Sequence, residues 1–269
     1  MDPRIGWIKD NTKWRHRARK KKSKYLPGVD KAYVIAMPKR YDSVMERLKP
    51  MIKSVNVLDA INKDNLDLEE LKKKEFIKDT QWEGIEWQNK PEDVVESRKR
   101  GFSAAHMSHL ACMLDFLSDP NATHALIMED DAVVDFDKIG KAVEDGLAMD
   151  PDVLYLMHCL SDEDKNEDLG NGMMKLARPM CRGGYIVNRK TAESLAQGSF
   201  PLDRTGDRTM RRILEENGSF LVGPKDRCID QQDGGKSMTR EKMEASEEPS
   251  TKPSVYIPLI VLGSLMVTG

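Results

Sequence analysis

Cysteine is scarce in this sequence. The four residues, Cys112, Cys159, Cys181 and Cys228, are widely scattered along 269 positions. They form no Cys-x-x-Cys pair and none of the spacings that hold zinc. They read as free thiols, mostly structural, in a reducing compartment. Aromatic residues are few, at 6%, and neither sign of charge dominates, the net charge being −2. That excludes a chain that binds nucleic acid through its overall charge, and no specific nucleic-acid partner is expected. The phosphate-binding glycine motifs are absent as well. There is no Gly-x-Gly-x-x-Gly, no phosphate loop and no Gly-x-Ser-x-Gly. "GGKS" at 234–237 is too short and lies in linker-like composition. No apolar stretch follows the basic start, so no secretory signal is expected. Internal repeats and low-complexity runs are missing too.

What is present suits a globular chain with a sizeable core. Hydrophobic residues make up 39% and charged residues 33%, enough for one large domain or two small ones. Residues 13–24, "KWRHRARKKKSK", hold eight Lys/Arg and no acid. Residues 1–28 therefore read as a basic flexible arm, its sharper readings being contact with an acidic surface, membrane or nucleic acid, or a nuclear-import signal. The globular part spans 29–233. A polar linker follows at 234–253. The last stretch, 254–269, carries no charge. As a helix it would reach about 24 Å, short of the roughly 30 Å hydrocarbon core, and Pro258 and Gly263 interrupt it. A tail anchor, an apolar strand and a frayed end all remain open. The expectation is a cytoplasmic protein, with the tail as its route to a membrane.

Within 29–233, strands and helices alternate. Short apolar runs read as strands at 31–37, 55–61, 124–129, 152–159, 183–188 and 219–223. Helical spacing marks 43–52, 65–79, 96–117, 137–149, 189–198 and 207–218. The stretch 163–172 reads as an acidic loop. This alternation predicts an α/β domain with a mostly parallel sheet.

The stretch most in need of explanation is "ALIMEDDAVVDFD", 125–137, where an apolar run meets three adjacent acids and a second apolar run follows at once. Like charges side by side repel, and burial adds to the cost. In open α/β sheets ligands sit beyond the carboxyl ends of strands, where these acids fall. On an extended backbone Glu129 and Asp131 point the same way, with Asp130 turned aside. Mg²⁺ and Mn²⁺ select such oxygen ligands, one or two carboxylates beside substrate phosphates. The plainer reading is a helix start, with Asp135 and Asp137 as caps. It accounts for those two and not for the triplet. His106 and His109 lie three apart on the apolar face of a helix. Core histidines bonded to backbone or carboxylate are a better reading of them than a metal pair.

Taken in order, "YVIAMPKR", "GFSAAHMSHLACMLDFL", "HALIMEDDAVV", "GGYIVNRKTAESL" and "FPLD" resemble glycosyltransferase family 25, the lipopolysaccharide and collagen β-galactosyltransferase family. The resemblance covers roughly 31–233. It implies a GT-A type, Rossmann-like nucleotide-sugar-binding domain and a usually inverting transfer of a hexose, galactose foremost, from a UDP-sugar to a hydroxyl. The acceptor would be a glycan, a lipid-linked sugar or a protein. It implies Mn²⁺ or Mg²⁺ on Asp131 and Glu129. Donor contacts would come from Lys39, Arg40, Ser108, His109, Glu129, Asp130, Gly184 and Tyr185. Asp203 is the first choice of base and Asp207 the second, and Asp203 could equally bind sugar hydroxyls. The sequence departs from the family where Ser43 follows Asp42 in place of Arg, and where Ala104-Ala105 precede the Ser-His pair. Those departures keep open an alternative, a catalytically inactive sugar- or protein-binding module of the same fold.

Overall fold

The computed structural model describes residues 2–19, 23–80, 82, 90–159 and 163–232. They lie in the first of two units, Met1–Lys236; the second, Ser237–Gly269, falls outside the described residues, and with it the expected linker and tail. The chain opens with helix α1 (Pro3–Asp10) and strand β1 (Lys13–His16), then β2 (Lys31–Ala36), α2 (Tyr41–Arg47), β3 (Asn56–Asp59) and α3 (Leu68–Lys73). The long helix α4 (Glu92–Leu117) leads into β4 (His124–Glu129), β5 (Ala132–Val134) and α5 (Ile139–Leu147). Then come β6 (Val153–Tyr155), β7 (Glu167–Gly170), β8 (Met173–Lys175) and β9 (Gly184–Asn188). Helices α6 (Arg189–Gly198) and α7 (Gly206–Glu216) and strands β10 (Leu221–Pro224) and β11 (Ile229–Gln231) complete it.

Nine strands form one sheet, in the order β1-β3-β2-β4-β9-β6-β10-β8-β7, and β5 pairs with β11 in a small second sheet. The central strands are apolar throughout because both faces are covered. Side chains alternate between the faces as the pleat requires. Tyr33, Ile35, Leu58, Ile127, Tyr185 and Val187 pack with α1, α3, α4, α6 and α7. Val34, Val57, Leu126, Met128, Leu154 and Ile186 pack with α2 and α5 on the other face. The result is an α/β fold of three layers.

The sheet is mixed, which corrects the mostly parallel expectation. Strands β3, β2 and β4 run parallel to one another, and so do β6 and β10, while β9 runs antiparallel between β4 and β6. The acidic loop at 163–172 contains β7, which forms a hairpin with β8 and extends the sheet beyond β10.

The arm at 1–28 is not a free tail in its described residues. Ile8 is fully buried, Trp7 packs edge-on against Phe76, and β1 lies antiparallel beside β3. Arg15 is bonded to Asp59 at 2.5 Å and Arg17 to Asp115 at 2.8 Å, so these cations are partly spent inside the fold. The apolar residues scattered among the basic ones supply the burial that orders the segment. The cysteine reading also changes. Cys159 and Cys181 form a disulfide, and only Cys112 and Cys228 are free and buried. The premise of four reduced thiols therefore fails.

Candidate functional site

The three acids occupy the end of β4 and the tight turn into β5, and each takes a different direction. Asp130 does turn aside, toward the end of β2. Its carboxylate accepts the Met37 amide at 2.8 Å and Arg40 Nη1 at 3.1 Å, and Arg47 donates to its carbonyl. Burial still lifts its pKa above the usual range despite these donors. Asp130 thus fastens the acidic turn to the first strand, and it takes Arg40 with it. Asp131 is 5% exposed. Its Oδ2 accepts a long bond from Gln231 Nε2 at 3.4 Å, and its Oδ1 is buried with no hydrogen-bond partner among the described residues. Burial, then the charges of Glu129 and Asp130, push its pKa up to about 6.

Glu129 faces helix α4. His109 Nε2 lies 3.0 Å from Glu129 Oε1, and His109 Nδ1 lies 3.0 Å from the Tyr185 hydroxyl. Burial drives the His109 pKa well below its ordinary value and raises that of Tyr185. Both are therefore neutral near pH 7. The phenol donates to Nδ1, and the Nε2–H donates to the carboxylate. This chain orients one Glu129 oxygen while the side chain as a whole stays 33% exposed. Burial raises the Glu129 pKa as well.

Arg182, which the sequence did not single out, enters beside this chain. Its Nη1 donates to His106 Nδ1 at 3.1 Å, and its Nε lies 3.9 Å from Asp207 Oδ1. Its charge adds to burial in keeping His106 and His109 neutral. "MCRGG" offered one usable signal, an arginine between a cysteine and two glycines. At Gly183 a Cβ would meet Met157 Sδ, and at Gly184 it would stand 2.7 Å from Ile229 Cδ1. A side chain at either position would have to displace the Met157 or Ile229 side chain.

The other expected residues divide. Asp203 is gripped by Arg204 at 2.7 Å and Lys78 at 3.1 Å. Burial alone would raise its pKa, but these two cations outweigh burial and hold it below the usual range. That suits hydroxyl binding better than proton abstraction. Asp207 lies in the first turn of α7 with its side chain 36% exposed. Ser108 is a correction: it is fully buried, donates to the Ala104 carbonyl at 2.8 Å and accepts the Ile61 amide at 3.0 Å. It braces α4 against the segment after β3 instead of facing a ligand. Gly184 and Tyr185 are likewise buried behind the acids, and Lys39 is exposed at the end of β2. Of the helix-start reading, Asp135 caps the turn before α5 through the amides of Asp137 and Lys138, and Asp137 does not.

The structure thus brings Glu129, His109, Tyr185, Arg182, His106 and Asp207 into one cluster, with Asp131 beside it and Asp203 held in a separate pairing. The sequence matches no family model and no curated protein. Among solved structures it is similar to one titled "Crystal Structure of A197 from STIV", at 12% identity and a TM-score of 0.36, over 75% of this chain and 93% of that one. A likeness this distant carries no argument for the chemistry.

Proposed function

We propose that this chain is a metal-dependent glycosyltransferase of GT-A type, related to glycosyltransferase family 25, that moves a hexose from a UDP-sugar to a hydroxyl acceptor. The observation that carries the reading is Asp131, a buried carboxylate at the carboxyl end of a parallel strand with one oxygen unmet. Among the described residues no three His, Cys, Asp or Glu are grouped as for a closed metal cage. Mg²⁺ and Mn²⁺ need less, since one or two carboxylates and the substrate's phosphates suffice. Asp131 Oδ1 and the Glu129 oxygen that His109 does not hold are the two candidate ligands, although the side chains leave the turn in different directions and not, as expected, the same one. When bound, the cation would offset charge developing on the departing diphosphate.

The rest of the chemistry falls to the chain. Asp130 fixes the turn on β2. Tyr185 and His109 hold Glu129 in one orientation, as the partners of ligating carboxylates commonly do. Asp203, steadied by two cations, binds sugar hydroxyls. Asp207, half-buried and held, among the described residues, only by the 3.9 Å ion pair to Arg182, takes the acceptor's proton. The acceptor oxygen forms its bond to the anomeric carbon from the face opposite the diphosphate, and the bond to the diphosphate breaks with inversion.

Incubating the full chain with UDP-, GDP- and CMP-sugars separates the readings. The expected result is slow UDP release from one sugar in Mn²⁺, abolished by EDTA. Silence across the panel, with no UDP binding by calorimetry, overturns the transferase. One observation favours the alternative, a binding module of the same fold: Arg40 and Asp203 are already paired within the protein.

A further inference from the structure

Arg182 is a buried cation whose hydrogen bonds are not all met. It is 8% exposed, and its Nε has no hydrogen-bond partner among the described residues. Asp207 at 3.9 Å answers part of the charge but is too far away to accept a hydrogen bond. A buried donor left unmet forfeits its hydration without return, and a charged one forfeits more.

The guanidinium lies directly on Gly206, where a Cβ would meet Nη2 and stand 2.6 Å from Cζ. Gly206 is the first residue of the eleven-residue helix α7, and Thr205 at the N-cap makes no side-chain bond to the first turn. A helix start carries unmet N–H groups and a partial positive charge. A cation with a spare donor is therefore packed on the positive end of a helix. That pairing is unfavourable by itself. An oxyanion would satisfy it from both sides, with the N–H groups of the first turn and the planar fork of the arginine converging on it.

We propose that Arg182 and the first turn of α7 form an oxyanion site for a phosphate or diphosphate group, with position 206 kept as glycine so that the guanidinium can lie over the helix end. The oxyanion chemistry stands on this geometry alone. Its assignment to a phosphate on the acceptor, on the side where Asp207 takes the proton, rests on the transferase reading; a donor diphosphate bound there would exclude Asp207 as the base.

The test uses the full-length chain, ¹⁵N-labelled, in EDTA, titrated with inorganic pyrophosphate, orthophosphate and UDP. Saturable shifts are expected at the amides of Gly206, Asp207 and Arg208 and at the Arg182 Nε–H. Arg182→Gln and Gly206→Ala should each weaken pyrophosphate binding at least tenfold while far-UV circular dichroism stays unchanged. Should either variant fail to fold, the wild-type shift map decides the matter. Shifts confined to the basic segment 13–24, or unchanged affinity in folded variants, overturn the site. Tighter binding of pyrophosphate and UDP than of orthophosphate assigns it to a diphosphate, and equal binding assigns it to a phosphate monoester. Anion shifts at α7 without sugar-nucleotide turnover keep the site and remove the transferase. Turnover without those shifts does the reverse.

Discussion

Burying a carboxylate with one oxygen unmet has a measurable cost at position 131. The Asp131 pKa rises from 3.8 unfolded to about 6 folded. Between those values the folded state binds more protons than the unfolded state, so this residue lowers stability as pH rises from about 4 to about 6, and its penalty is complete above that. Asp131→Asn should therefore stabilise the cation-free protein at pH 7.5, by up to about 3 kcal/mol, with no gain near pH 4. Urea unfolding in EDTA at the two pH values reads this directly, and saturating Mn²⁺ should narrow or reverse the difference. UDP release by the same variant should fall at least a hundredfold; unchanged metal-dependent turnover removes Asp131 from the site. Ser108 makes the opposite case. Its hydroxyl is spent on Ile61 and Ala104, so Ser108→Ala should cost about 1–3 kcal/mol of stability and leave UDP affinity unaltered. A large loss of UDP affinity with unchanged stability would restore it as a ligand.

At the scale of elements, the direction of β9 matters most. Its start, Gly184, lies opposite Met128, and Gly183 accepts the Glu129 amide at 3.1 Å. Arg182 therefore arrives beside the acids. A parallel β9 would have brought Asn188 to that edge instead. The returning segment is fastened by the Cys159–Cys181 disulfide and by two backbone bonds between Cys159 and Met180. The bridge closes a loop with a sequence separation of 22, so replacing both cysteines by serine should cost roughly 3 kcal/mol through loop-closure entropy. Calorimetric melting with and without reductant checks it, and a wild-type melt indifferent to reductant counts against the bridge. Helix α1 carries a similar test. Ile8 is fully buried, so Ile8→Ala should cost about 2–5 kcal/mol, whereas a free arm would lose nothing.

Across the whole molecule, apolar runs and helical spacing were enough to place the central strands and most helices. The strand 124–129 and the helix 189–198 were legible residue for residue. Helix α4 begins at Glu92, ahead of the expected 96, because Pro91 opens it and two acids suit its first turn. The strands β1, β5, β7, β8 and β11 escaped because they are short, polar or at sheet edges, where one covered face leaves no apolar run. Among the described residues no helix is long and apolar enough to cross a membrane.

Local sequence determined the central strands, the helices from α2 onward and the acidic turn at 129–131, because each depends on residues adjacent or periodic in the chain. Tertiary structure alone decided which way β9 runs, that Cys159 meets Cys181, and that Arg182 reaches His106, Gly206 and Asp207. It also decided that Asp130 is spent on β2 while Asp131 keeps an unmet oxygen. Strand direction, long-range pairing and hydrogen-bond satisfaction depend on contacts between residues far apart in sequence, and such contacts leave no periodic mark along the chain.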